Sequence, residues 1–306
     1  MDLSILYRGP LASCDYDCSY CPFAKRRDTP EQLRADRAAL AGFAAWVHAQ
    51  TEDRISILFT PWGEALTRSW YRDTMTQLSH LPHVTKVAAQ TNLSFRLDWL
   101  DAADPATLAL WCTYHPDQVA YERFLGKCLA LHARGVRFSV GVVGQPEHLD
   151  AARRLRADLP ADVYLWINAA EGLTYTDEQA AEWERIDSLF PASRFAHPSR
   201  GRACRTGESV LSVDGEGEVR RCHFVSRTDP GERLGNLYDG SYRAALRPRP
   251  CPLDQCDCHI GYVHMPELGL YDTFGGGVLE RVPARRTLFT IAGPASSNHH
   301  AAPLTS

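Results

Sequence analysis

Cys14-Asp15-Tyr16-Asp17-Cys18-Ser19-Tyr20-Cys21 sets three cysteines at C-x3-C-x2-C spacing near the start of a 306-residue chain that holds ten cysteines in all. Thiolates this close in sequence can share one metal centre. Closed structural and electron-transfer sites usually take four protein ligands, whereas three leave one iron of a cluster open to an outside ligand. An open iron points to chemistry. A zinc knuckle completed by a distant fourth ligand is the alternative reading of the same spacing.

The rest of the composition narrows the class. Hydrophobic residues make up 44% of the chain, enough for a substantial core, and the formal net charge is -4 with acidic and basic residues interspersed. No polybasic stretch favours nucleic acid or a membrane surface as a partner. The apolar runs fall short of the roughly 20 residues that span a bilayer, and residues 1 to 10 lack a signal-peptide pattern, so the expected location is cytoplasmic. In a reducing compartment, clustered cysteines read as metal ligands rather than disulfides.

Working outward from the triplet, Leu3 to Tyr7 reads as a buried strand that runs through Arg8-Gly9-Pro10 into the cysteine loop. Thr29-Pro30-Glu31-Gln32 combines an N-cap, a proline at the first helical position and a capping-box glutamine, and predicts a helix to about Gln50. Strands follow at Ile55 to Phe59, Val84 to Ala89, Leu108 to Thr113, Arg137 to Val143 and Val163 to Ile167. Helices are expected around Trp70 to Leu78, Gln118 to Ala133 and Glu147 to Ala157. Thr176 with Gln179 opens a further helix bearing Trp183, Ile186 and Phe190. Six strands alternating with helices imply a parallel α/β sheet, either a partial barrel or an open doubly wound sheet. Both place a ligand at the carboxyl ends of the strands, where the cysteine loop also lies.

The triplet, with an aromatic residue (Tyr20) just before its third cysteine, resembles the signature of the radical S-adenosylmethionine (radical SAM) enzymes. The resemblance implies a partial (β/α)6 TIM-like barrel and a 4Fe-4S cluster on Cys14, Cys18 and Cys21. S-adenosylmethionine (SAM) would bind the open iron and be cleaved to a 5'-deoxyadenosyl radical that takes a hydrogen atom from a substrate. The same resemblance suggests cofactor contacts at the strand ends. Pro61-Trp62-Gly63-Glu64 is similar to the family's Gly-Gly-Glu motif, with Trp62 in place of the first glycine. Thr91 and Asn92 resemble its Thr-Asn turn, Thr113 precedes the acid-base candidate His115, Val142 and Gly144 partly match its adenine-packing element, and Asn168 ends strand six.

A second set of cysteines begins with Cys204, Gly217 and Cys222 at C-x12-G-x4-C and continues with Cys251, Cys256 and Cys258. Ser209 to Val213 and Glu218 to Cys222 read as a β-hairpin about the turn at Asp214-Gly215-Glu216-Gly217. This resembles the SPASM or shorter twitch extension of radical SAM barrels, which implies one auxiliary 4Fe-4S cluster with one of the last three cysteines spare. A zinc ribbon is the alternative. Cys112 and Cys128, inside an apolar strand and helix, read as small hydrophobes.

The expected organisation is therefore a barrel over 1-190, an auxiliary-cluster domain containing the hairpin over 191-283 and a disordered tail over 284-306. The expected activity is a radical SAM oxidoreductase or modifying enzyme acting on a peptide or small molecule, with an electron donor such as flavodoxin or ferredoxin. The rival is a non-catalytic iron-sulfur or zinc protein serving electron transfer or assembly.

Overall fold

The computed structural model describes residues 1-21, 23, 26-222 and 232-284. The expected tail beyond Ala284 lies outside the described residues. Strands β1 (Asp2–Arg8), β2 (Arg54–Phe59), β3 (Val84–Thr91), β4 (Leu108–Tyr114), β5 (Arg137–Val143) and β6 (Leu165–Asn168) pair in sequence order, all parallel. The helical layer comprises α1 (Pro30–Ala49), α2 (Ser69–Ser79), α3 (Tyr121–Ala133), α4 (Leu149–Asp158), α5 (Asp177–Glu184) and α6 (Phe190–Arg194).

Local chemistry explains the boundaries. Thr29 and Gln32 form a reciprocal capping box at the start of α1, and Thr176 with Gln179 does the same for α5. The single helix expected to carry Trp183 through Phe190 is two: α5 stops at Glu184 and α6 restarts at Phe190. Between them the Asp187 carboxylate accepts the N–H groups of Ile167 and Leu189 and the hydroxyl of Tyr164, a capping role that interrupts the helix. Between β3 and β4 there is only a short 3-10 turn, Asp98–Ala102.

The cysteine-bearing half does not stand apart from this sheet. It contributes β7 (His197–Pro198), β8 (Ala203–Cys204), β9 (Val210–Asp214), β10 (Glu218–Arg220), β11 (Arg233–Asn236), β12 (Arg249–Pro250) and β13 (Gln255–Cys256). The expected hairpin is β9-β10, with Asp214 Oδ1 accepting the N–H groups of Glu216 and Glu218 and Gly217 at φ 77°. Strand β9 then pairs parallel with β1, giving one nine-stranded sheet in the order β11-β10-β9-β1-β2-β3-β4-β5-β6. The pairing covers the β1 edge, which would otherwise present unpaired backbone groups.

One face of the sheet packs on the helices through residues such as Ile5, Ile57, Val87, Leu110 and Val140. Cys112 and Cys128 lie in that core, both 0% exposed. The other face, with Leu6, Leu58, Ala88, Trp111 and Trp166, is covered by Tyr262, Val263, Leu270, Phe274 and Val278 from the end of the described chain. The last short helix there is α7 (Leu270–Phe274). Three contacts fix this plug: Lys86 Nζ donates to Glu280 Oε1 at 2.7 Å, Ser139 Oγ donates to Glu280 O at 2.6 Å, and the Arg281 guanidinium lies 4.6 Å from the Trp111 ring centre. The inner face of the sheet is thus covered. Among the described residues no helix is long and apolar enough to cross a membrane.

Candidate active site

The cysteine loop leaves β1 under tight control. Leu11 N donates to Asp36 Oδ1, and the N–H groups of Ala12 and Ser13 donate to Asp28 Oδ2. Asp36 also accepts from Trp70 Nε1 and Tyr71 OH; its burial raises its pKa despite these donors. On the β2 side, Gly63 N donates to Leu11 O and Glu64 N to Ser13 O, at 3.2 and 3.0 Å. A Cβ at Gly63 would lie 2.1 Å from Ser13 O, so glycine is required where this turn meets the cysteine loop. The tip is tied as well: Asp17 N donates to Gln118 Oε1, beyond β4.

The ends of β2 and β3 converge behind Cys14. Glu64 is 4% exposed; Oε1 accepts from Leu66 N and Thr91 Oγ1, and Oε2 accepts from Asn92 N at 2.7 Å. Burial outweighs those donors and pushes its pKa up to about 7. The Asn92 side chain donates through Nδ2 to Asp15 Oδ1 at 2.9 Å and to Cys14 Sγ at 3.7 Å. Burial, with the negative field of Glu64 and Asp15 added, pushes the Cys14 thiol up to about 12, and burial pushes Cys18 up to about 11. Isolated thiolates are therefore disfavoured here, and a bound metal centre would supply the missing positive charge. Three soft sulfur donors on one rigidly held loop fit an iron-sulfur cluster.

Tyr20 and His115 come together across the mouth, with Tyr20 OH 2.9 Å from His115 Nδ1 and the rings stacked at 5.9 Å. Burial, and behind it the nearby His148, lowers His115 to a pKa of about 4, so the imidazole is neutral at ordinary pH. The Tyr20 ring expected to meet the cofactor is thus flanked by His115 and, edge-on, by His148.

The remaining strand-end residues separate. Thr113 is half-buried and alternates with Cys112 and Tyr114 of the helix-facing core. Val142 is buried in the helix-facing core, on the same face of β5 as Val140. Gly144 N donates to Asn168 O at 2.7 Å, and the space a Gly144 side chain would occupy is filled by Tyr175 OH at 2.8 Å. Asn168 lines a cavity of about 20 Å³ with Trp111, Trp166 and Arg281, room for about one water.

Several residues at this mouth were not marked by spacing: Asp15, Asp28, Lys127 and Arg8. The Arg8 guanidinium lies 5.3 Å from the Trp62 ring centre, and its charge acts on the Cys258 thiol. Only Arg8's place at the end of β1 could have flagged it.

The second cysteine set is spread over the short strands of the C-terminal half. Cys204 faces Arg249 in the β8-β12 pair, Cys222 follows β10, and Cys256 faces His197 in the β7-β13 pair. Burial pushes Cys256 up, and the thiols of Cys258, Cys222 and Cys204 add to the shift, which marks the four as neighbours. Cys251 is held by backbone bonds to Arg202 and Gly201, and its thiol acts on Arg200. Among the described residues, no three His, Cys, Asp or Glu side chains are arranged around a single metal ion.

No family model and no curated protein matches this sequence. Among solved structures, histidine-tagged anSMEcpe with bound S-adenosylmethionine superposes with a TM-score of 0.50 at 12% identity, over 80% of each chain. The chain shares the fold of that protein. Streptococcus suis SuiB bound to S-adenosylmethionine gives a TM-score of 0.47 at 11% identity, over 79% of this chain and 67% of that one. BtrN in complex with S-adenosylmethionine and 2-DOIA gives 0.33 at 13%, over 80% and 83%. The partial-barrel α/β architecture implied by the resemblance of the cysteine triplet is the one the chain adopts.

Proposed function

We propose that this protein is a radical SAM enzyme. The observation that carries the reading is the placement of Cys14, Cys18 and Cys21 on one braced loop at the carboxyl end of β1, directly against Glu64 and Asn92, in a chain that shares the fold of anSMEcpe. Cys14, Cys18 and Cys21 would hold a 4Fe-4S cluster there, and that cluster with SAM would supply radical hydrogen-abstraction chemistry toward a peptide or small-molecule substrate.

The chain's own residues set the conditions. The three cysteines would hold three irons and leave the fourth open. Glu64, with Oε2 taking a single donor, would accept from the methionyl ammonium, whose charge would favour the ionised carboxylate. Gly63, Thr91, Asn92, Thr113, Val142, Gly144 and Asn168 near the strand ends, with Tyr20 on the cysteine loop, are further candidates for cofactor contact. His115, neutral and paired with Tyr20, can exchange a proton at the mouth.

Residues 191-283 are assigned as a twitch-like auxiliary region with a second 4Fe-4S cluster. Cys204, Cys222, Cys256 and Cys258, whose thiols act on one another electrostatically, would form its ligand set, with Cys251 as the spare. Proximity to Arg8 at the barrel mouth suits a conduit for an electron to or from the substrate. An electron donor of the flavodoxin or ferredoxin type completes the scheme.

The test is anaerobic reconstitution followed by reduction with SAM. Wild type should release 5'-deoxyadenosine and Cys18→Ala should not. Zinc in place of iron after anaerobic purification, or no deoxyadenosine from fully iron-loaded protein, would overturn the reading.

A further inference from the structure

The residue after Asn92 is strained. Leu93 has φ 59°, a region that leucine rarely occupies, and it is 1% exposed. The turn is held from α3, where Lys127 Nζ donates to Leu93 O at 2.7 Å and to Phe95 O at 2.6 Å. These bonds are charge-assisted, and the ammonium also lies 5.9 Å from the Phe95 ring centre.

The turn fixes the Asn92 amide in one orientation. Asn92 Oδ1 accepts from Ser94 N at 2.9 Å, which leaves Nδ2 facing Asp15 Oδ1 and Cys14 Sγ. Reversing the amide would set oxygen against a carboxylate and nitrogen against an N–H donor. An N–H aimed at a ligating sulfur stabilises the added electron of a reduced cluster and raises its potential.

We propose that Lys127 is a positioning residue: by holding the strained Leu93 turn it keeps Asn92 donating to Cys14 Sγ, and so raises the reduction potential of the cluster on Cys14, Cys18 and Cys21. The inference rests on reading those cysteines as cluster ligands.

The experiment is a potentiometric titration of the reconstituted cluster followed by electron paramagnetic resonance. Lys127→Met keeps the apolar stem and removes the donors. It is expected to lower the reduced-to-oxidised ratio about tenfold at a fixed potential, a fall of about 59 mV for a one-electron couple. Asn92→Leu should produce a similar fall, and the double variant should fall no further than Asn92→Leu alone. Lys127→Arg should recover part of the potential. If Lys127→Met fails to hold iron, Lys127→Gln, with an uncharged donor, carries the measurement and should show a smaller fall in the same direction. A wild-type potential in the iron-loaded variants would overturn the proposal, as would additive effects of Lys127→Met and Asn92→Leu, which would make Lys127 a bare charge. Wild type that takes up no cluster would overturn the cluster reading and this proposal together.

Discussion

Replacing Gly63 by alanine tests the contact on which the site depends. The added Cβ would stand 2.1 Å from Ser13 O, 2.7 Å from Ser13 C and 2.8 Å from Ala12 C, all backbone atoms that no side-chain rotation can move away. Relief requires the β2 turn and the cysteine loop to separate, which weakens Gly63 N→Leu11 O and Glu64 N→Ser13 O. Overpacking costs about 1–3 kcal/mol, and each lost hydrogen bond about 1 kcal/mol net. A net loss of about 3 kcal/mol is expected, and at about 2–4 °C per kcal/mol the melting temperature should fall by about 6–12 °C. Gly126→Ala is the control: Gly126 lies within α3, and a Cβ there meets nothing within 4 Å. It should gain up to about 1 kcal/mol, the helix-propensity difference. Thermal unfolding of the metal-free proteins reads stability, and iron per chain after reconstitution reads the loop. Gly63→Ala should load less iron on the first site. A Gly63→Ala protein that melts within about 2 °C of wild type and loads the same iron would refute the contact.

Glu64 gives a pH signature. Because burial raises its pKa from 4.5 to about 7, the folded state keeps a proton that the unfolded state has released. Its contribution is full below about pH 4.5 and is lost as pH rises through about 7, on the order of 3 kcal/mol. Denaturant unfolding of metal-free wild type and Glu64→Gln at pH 5 and pH 8 should show the smaller pH dependence in the variant. Lys86→Met should strand Glu280, which is 0% exposed with Arg137 as its other cationic partner at 3.3 Å, and should cost about 3 kcal/mol in denaturant unfolding. The double variant Lys86→Met/Glu280→Gln should recover part of that loss. Cys251→Ala should keep the auxiliary iron, whereas Cys256→Ala should lose about four irons per chain; equal losses would place Cys251 among the ligands.

Much of the barrel was legible because parallel strands buried on both faces leave continuous apolar runs, and capping boxes mark helix starts locally. Thr29-Gln32 and Thr176-Gln179 needed no tertiary information. The Asp187 interruption did, because its partners Tyr164 and Ile167 lie about 20 residues away and no local pattern announces them. The face of β5 that Val142 takes likewise became visible only once the strand was packed against the helices.

By itself the sequence determined the C-x3-C-x2-C cysteine spacing, the strand and helix order that places it at a carboxyl-end loop, and the hairpin between Cys204 and Cys222. These are properties of spacing and local hydrogen bonding. Only the tertiary structure decided that β9 joins β1 and that residues 262-281 cover the inner face of the sheet. Each depends on contacts between residues far apart in the chain, where burial and backbone pairing set the outcome. The same holds for the triplet: its spacing groups three thiols on one loop, and only the fold packs Gly63, Glu64 and Asn92 against that loop.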